Sequence, residues 1–366
     1  MKKIILAVTN DLVSDQRVHK VAMSLLEMGY SVKLVGRVLS KSLPITERKY
    51  STKRFSLPFI KGPGFYTCYN VRLFFFLLFS RFNVVVANDL DTLPACFLAA
   101  KIRYKKLVYD SHEYFTEVPE LIHRKNVQRI WLKIEKFILP KIKHSYTVCE
   151  SIANIYKKKY GIDMKVVRNI PEKNYNLQTN NSDLKPTLKK VIIYQGALNK
   201  GRGIESVIEA MQYIENTIFW IIGDGDIREE LKKLVFKYNV SEKVLFVGKV
   251  PFESLQRYTK QAHLGISLEE PESLNYYYAL PNKLFDYLHA GVPVLVSDLP
   301  EMKKIVEQYK PGEICKSREP QKLAVQIQRM LTDETLREHW QKNIEIAKQE
   351  LTWENEKKVL LEVYGA

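Results

Sequence analysis

What most constrains this chain is that short apolar runs alternate with helix-length amphipathic segments, and that the alternation occurs twice. In the N-terminal half the runs 4–8, 32–35, 84–87, 107–109 and 146–148 are β-branched or apolar, with helical patterns at 17–28, 94–102 and 127–142 between them. Continuous apolar runs of this length are typical of strands buried on both faces, and strand–helix alternation predicts an α/β, doubly wound parallel sheet. An Asn-rich, aperiodic stretch at 171–186 interrupts the pattern. It then restarts with runs at 191–194, 218–222, 244–247, 264–267 and 292–296 and helical patterns at 205–211, 227–238, 253–261 and 282–288. A chain of 366 residues exceeds one typical core. The expectation is two such domains, 1–175 and 187–350, joined at the interruption, with ligands outside the carboxyl ends of the strands in a cleft. A last helical stretch at 321–365 ends the pattern.

Hydrophobic residues make up 46% of the chain and charged residues 27%, a globular balance that argues against disorder. The four cysteines, Cys68, Cys96, Cys149 and Cys315, show no metal or redox spacing and read as small buried hydrophobes in a reducing compartment. The N-terminal apolar run ends at Val8, and Asp11 and Asp15 follow at once, so it reads as a first strand and not a signal peptide. A cytoplasmic protein is expected. Charge is uneven: residues 1–175 carry 31 Lys and Arg against 14 Asp and Glu, a balance of +17, whereas residues 176–366 carry 26 against 27, a balance of −1. The N-terminal half should therefore face something anionic, either nucleic acid or an anionic membrane leaflet.

Several segments could carry chemistry. Residues 280–298, Leu-Pro-Asn-Lys-Leu-Phe-Asp-Tyr-Leu-His-Ala-Gly-Val-Pro-Val-Leu-Val-Ser-Asp, read as a helix followed by a buried strand. Pro281 suits the first helical position, Asn282 and Asp286 share a face beside Lys283, Leu284, Phe285 and Leu288 form the apolar side, and Gly291 ends the helix. A helix N-terminus with a cation and a carboxylate suits a ligand bearing phosphate and sugar hydroxyls; an ordinary αβ unit with solvated polar groups fits equally well. Residues 194–204 place Gly196, Gly201 and Gly203 with Lys200 and Arg202 between a strand and a helix, which suits a diphosphate or is a tight loop with solvated basic residues; the spacing is not the dinucleotide fingerprint. The Gly-Asp-Gly-Asp at 223–226 lets a ligand approach the backbone or is a simple turn, and turn is the plainer reading. Asp110, His112 and Glu113 follow a strand and can reach a ligand, although a lone histidine is more often a satisfied loop residue. Asn88-Asp-Leu-Asp91 resembles a metal motif, but Asp91 as a cap of the following helix is the plainer reading. The apolar run 73–79, flanked by Arg72 and Arg81, falls short of the ~20 residues that span a bilayer. It is a core helix or, if partly exposed, a membrane contact beside the basic surface.

Together these segments resemble the retaining family-4 glycosyltransferases of the GT-B fold, in a subgroup marked by Ala-Leu-Pro-Asn-Lys-Leu-Phe-Asp-Tyr (279–287). The resemblance includes Asp-Gln-Arg-Val-His-Lys (15–20), Asp-Ser-His-Glu (110–113), the glycine-rich loop 194–204, Ile-Gly-Asp-Gly (222–225), 244–251, Ala-Gly-Val-Pro-Val (290–294) and Thr-Trp-Glu (352–354). It implies two Rossmann-like domains facing a cleft, with a C-terminal helix at 351–366 crossing back to the first. It also implies transfer of a sugar, of the hexosyl type, from a UDP- or GDP-sugar to a glycan acceptor. The acceptor would be lipid-linked, in cell-surface polysaccharide synthesis, at the inner face of the membrane and without metal or cofactor. The basic N-domain would meet the anionic membrane surface, with no nucleic acid expected.

The resemblance also assigns residues. The family's basic residue before the glycine that opens the phosphate-side helix falls on Arg202, and the position of its companion arginine holds Ala197, leaving Lys200 or Lys283 to supply that charge. The glutamate that holds the donor ribose falls on Asp286. The glutamate eight positions earlier falls on Tyr278, so Glu270 or Glu272 could substitute only if the loop carries an insertion. His112 matches the family's histidine near the transferred sugar, with Asp110 and Glu113 as acidic neighbours. Gly196, Gly203, Gly223, Asn282 and Leu284 complete the implied donor site, with Arg202, Lys283 and His112 as its catalytic members. Two other readings remain: a nucleic-acid-binding or scaffolding protein on a degenerate frame of this fold, and a sugar-nucleotide epimerase.

Overall fold

Seven strands form one parallel sheet and six form a second. The structure, a computed structural model, describes residues 1–13, 15–40, 42, 44–45, 47–172 and 188–365. The chain divides into two units, 1–169 with 356–366, and 170–355. Most of the 171–186 stretch expected as a linker lies outside the described residues.

The first unit runs β1 (Lys3–Asp11), α1 (Gln16–Glu27), β2 (Ser31–Val38), β3 (Ser51–Ser56), α2 (Gly62–Phe79), β4 (Val84–Asn88), α3 (Leu93–Ile102), β5 (Lys106–Ser111), α4 (Pro119–Ile122), α5 (Lys125–Ile138), β6 (His144–Thr147), α6 (Glu150–Tyr160) and β7 (Lys165–Val166). Its sheet order is β3-β2-β1-β4-β5-β6-β7. The order reverses between β1 and β4, and in open sheets of this kind such a switch point is where strand ends are left free to hold ligands. Each expected strand of this half is present. The structure adds β3, a polar edge strand without a two-faced apolar run, and the two-residue β7. The helix expected over 127–142 stops at Ile138, and Leu139–Lys141 form a 3-10 turn, because Pro140 cannot donate to the helical ladder.

The second unit runs β8 (Lys190–Gln195), α7 (Ile204–Ala210), β9 (Thr217–Ile222), α8 (Arg228–Lys237), β10 (Val244–Gly248), α9 (Phe252–Thr259), β11 (Leu264–Ser267), α10 (Leu274–Tyr277), α11 (Asn282–His289), β12 (Val294–Val296), α12 (Pro300–Tyr309), β13 (Gly312–Ile314), α13 (Pro320–Thr332) and α14 (Glu334–Glu350). The order β10-β9-β8-β11-β12-β13 has its switch point between β8 and β11. Along β8 the alternating side chains sort to the two sides of the sheet: Ile192 and Tyr194 join one apolar cluster, Val191 and Ile193 the other. Both faces are thus buried, which is why the strand reads as an unbroken apolar run. The strand expected over 292–296 keeps only 294–296. The final helical stretch is three helices; Asp333 caps α14 by accepting from the Leu336 amide at 3.0 Å. The last, α15 (Trp353–Gly365), belongs to the first unit from Glu356 onward.

Candidate active site

The second unit gathers its charged side chains where β8 and β11 end. Gly203 has φ +72, and a Cβ there would lie 2.1 Å from the Leu268 carbonyl oxygen, so only glycine lets the 196–203 loop lie against the segment after β11. Gly223, at φ +141, is packed more tightly still, since a Cβ would fall 1.9 Å from the Gly196 carbonyl oxygen. The 223–226 segment is therefore a site of close backbone approach and more than the expected turn.

This packing brings Arg202 to Glu269, a residue overlooked in the sequence. Glu269 is fully buried, two residues past β11. Its Oε1 lies 2.7 Å from Lys283 Nζ and 3.7 Å from the Arg202 guanidinium, and its Oε2 accepts from Ser267 Oγ at 2.8 Å. Burial alone would push this carboxyl up, but Lys283 and Arg202 outweigh it and hold it below the ordinary value. Lys283 moves the other way: its own burial, with Arg202 adding repulsion, lowers its pKa against the pull of Glu269. Two cations thus share one buried carboxylate, a local excess of one positive charge. Aromatic faces hold both cations: Lys283 Nζ lies 4.0 Å from the Tyr194 ring centroid, and Arg202 lies over Tyr276 at 4.4 Å. The buried Arg202 Nε finds no hydrogen-bond partner among the described residues.

Arg318, also overlooked, fixes the carboxylate's backbone. It donates to the Leu268 and Glu269 carbonyl oxygens at 3.0 and 2.7 Å and to Ser297 Oγ at 2.9 Å. Glu270 pairs with Arg318 at 3.3 Å, and the exposed Glu272 lies against Gly201. Neither is the carboxylate that meets Arg202 and Lys283. Pro281 is the residue before α11 and not its first, with Asn282 exposed in the first turn; Leu284 is core. Asp286 accepts from Gln195 Nε2 at 2.9 Å, and Gln195 Oε1 accepts from Thr259 Oγ1 at 2.8 Å. Gly196 and Lys200 are exposed on the loop, and Tyr278, just past α10, is half-buried.

In the first unit a separate ionic cluster forms where β1, β4 and β5 end. Asp110 is fully buried, with Oδ1 accepting from Arg17 at 2.8 Å and Oδ2 lying 3.1 Å from His112 Nε2. Asp89, in the left-handed region at φ +61, accepts from the His112 amide at 2.7 Å and lies 3.4 Å from its Nδ1. Burial opposes a charged imidazole, but Asp89 and Asp110 prevail and raise His112 to about 9. Burial likewise opposes the Asp110 carboxylate, and Arg17 and His112 overcome it, lowering it to about 2. Glu113 is half-buried next to this cluster. Asp91 does not cap α3 as expected: its Oδ2 accepts from Thr9 Oγ1 at 2.5 Å, while Asn70 Oδ1 receives the Ala95 amide in the first turn. Arg17 and Asp89 stand in the 15–20 and 88–91 motifs, but their pairing with Asp110 and His112 is not legible in the sequence because the partners lie far away in the chain.

Residues 178–346 match the family model described as glycosyl transferases group 1, and residues 15–171 match glycosyltransferase family 4. An uncharacterized glycosyltransferase of Methanocaldococcus jannaschii is 29% identical over 185 residues, 48% of this chain and 45% of that protein. The chain therefore matches less than half the length of that relative. Among solved structures, WaaG, a glycosyltransferase involved in lipopolysaccharide biosynthesis, is similar with a TM-score of 0.77 at 14% identity, covering 99% of this chain and 100% of that one. Anabaena HepE in complex with UDP-glucose is similar with a TM-score of 0.76 at 15% identity, covering 100% of both chains. At these identities the likeness is one of fold. Two glycosyltransferase models divide the chain between them, on an architecture shared end to end with solved glycosyltransferases, and the chain belongs to the GT-B glycosyltransferases of the family-4 type.

Proposed function

We propose that this protein transfers a sugar, of the hexosyl class, from a nucleotide-diphosphate donor to a glycan acceptor in polysaccharide synthesis, with retention at the anomeric carbon. The observation that carries this reading is the excess positive charge of Arg202 and Lys283 over the buried Glu269, beside a glycine-rich loop. The donor's anomeric C–O bond breaks with its electron pair passing to the β-phosphate oxygen. Arg202 and Lys283 stabilise the charge that develops there, in surroundings of low dielectric where such stabilisation is strong. The acceptor hydroxyl attacks on the face the phosphate leaves, and its proton passes to the departing phosphate. Asp286 takes the donor ribose, and Lys200 reaches the diphosphate from the loop. Phosphate charge is met by side chains, without a metal. HepE, an architectural relative, is seen with UDP-glucose, which makes uridine donors the first to try.

The test is a panel of UDP- and GDP-sugars, read by thermal shift and by mass detection of donor hydrolysis or transfer in the presence of EDTA. One donor should raise the melting temperature and turn over with the chelator present. Arg202→Ala and Lys283→Ala should each lower turnover by about 100-fold, the scale for loss of one charge-stabilising donor. No response to any donor, or wild-type turnover in both variants, would overturn the assignment.

A further inference from the structure

The first unit shows its large apolar side chains to solvent on one side. Among the described residues, apart from Met1 and Leu361, every large hydrophobic exposed there lies between residues 59 and 137, on α2, α3, α5 or their ends. These helices are neighbours, α2 packing on α3 and α3 on α5. The crossovers that contain them, β3 to β4, β4 to β5 and β5 to β6, all step in one direction across the sheet, so right-handed connections put all three on the same face.

On α2, Tyr69, Leu73 and Leu77 are fully buried, while Val71, Phe75 and Phe79, four residues apart, are 51%, 53% and 82% exposed. The helix is thus apolar on two opposite sides, and only one of them is covered by the sheet. Leu98 and Ile102 on α3 and Ile130 and Phe137 on α5 extend the uncovered side. A contiguous apolar surface rimmed by charge marks an interaction site. The charge is of one sign: among exposed side chains from 61 to 141, ten are Lys or Arg and one, Glu120, is acidic. The Lys141 ammonium stands 3.2 Å from the Phe137 ring centroid, an amphipathic stem laid over an apolar residue.

We propose that the α2–α3–α5 face docks on an anionic lipid bilayer, its aromatic and aliphatic side chains entering the headgroup boundary while the lysines and arginines meet lipid phosphates. Nucleic acid would satisfy the charge but would leave the Val71–Phe75–Phe79 stripe without a complementary surface. No helix among the described residues is long and apolar enough to cross a membrane, so the contact is peripheral. It also gives a lipid-linked acceptor a surface from which to be presented.

The experiment is flotation of the full chain, without nucleotide sugar, on vesicles of phosphatidylcholine alone and of phosphatidylcholine with about one-third phosphatidylglycerol. The protein should float with the anionic vesicles, not with the neutral ones, and salt should release it. Phe75→Ser with Phe79→Ser should weaken binding about tenfold or more by removing buried apolar area. The surface pair Lys133→Gln with Lys136→Gln, which leaves the packing untouched, should weaken it about ten- to thirtyfold and flatten the salt dependence. Failure of the wild type to float, equal flotation on neutral vesicles, undiminished binding by both double variants, or RNA displacing the vesicles would overturn the proposal. All four residues lie outside the donor site, so the thermal response to nucleotide sugars stays intact in the variants and the two readings fail separately.

Discussion

His112 is held by two carboxylates from different strand ends, and it shapes how the first unit responds to pH alongside Asp89 and Asp91, which burial raises to about 7. Its pKa rises from 6.5 to about 9 on folding, so the stability it contributes is complete below 6.5 and disappears as pH rises through about 9. Urea unfolding across this interval should show wild-type stability declining with pH and a His112→Gln variant declining much less; parallel curves would dismiss the ion pairs. Asp110 acts in the opposite direction: its pKa is lowered from 3.8 to about 2, and its contribution holds above 3.8 and fades as pH falls through about 2. Asp110 and His112 are two positions apart at the end of one strand, and that proximity is visible in the sequence. Glu269, Arg202 and Lys283 come from three segments, and a one-dimensional reading had no means of choosing among Glu269, Glu270 and Glu272 until the loop after β11 was placed.

At the scale of elements, the 196–203 loop and the segment after β11 lie against one another only because Gly203 lacks a side chain. Gly203→Ala would drive a methyl toward the Leu268 carbonyl in a backbone conformation alanine rarely adopts. We expect a loss of about 1–3 kcal/mol by denaturant titration, typical of overpacking. Since Arg202 precedes this glycine, nucleotide response should fall more than global stability does; a variant that binds nucleotide normally would show that the loop is not part of the donor site. Legibility followed burial in the same way. Strands covered on both faces, such as β4 and β8, announce themselves as apolar runs. The edge strand β3 carries Thr52, Lys53 and Arg54, shows no such run, and becomes a strand only through its pairing with β2. The split of 127–142 follows from Pro140, a local signal outweighed there by the continuing helical pattern.

At the scale of the whole molecule, the two units are not two consecutive pieces of chain. Residues 356–366 belong with 1–169, and their contacts there are specific. Arg168 donates from its amide and its Nε to Glu356 at 2.7 and 2.9 Å. Tyr30 donates to the Tyr364 carbonyl oxygen at 3.0 Å, and the Tyr364 and Tyr146 hydroxyls lie 3.0 Å apart. Tyr146 in turn lies under the Arg17 guanidinium, 5.8 Å from ring centroid to carbon, and Arg17 holds Asp110. The chain's last helix is therefore two partners removed from the His112 cluster, within one unit. Tyr364 is 2% exposed, and truncating a buried aromatic to alanine destabilises by about 3–5 kcal/mol. Tyr364→Ala should lose that much in urea unfolding and should also move the pH dependence assigned to His112, because Tyr146 and Arg17 lose their backing. Tyr364→Phe, which keeps the ring and removes only the hydroxyl, should lose about 1 kcal/mol and leave the pH dependence in place. If Tyr364→Ala shifts stability alone, the terminal helix braces the first unit without reaching its charged centre.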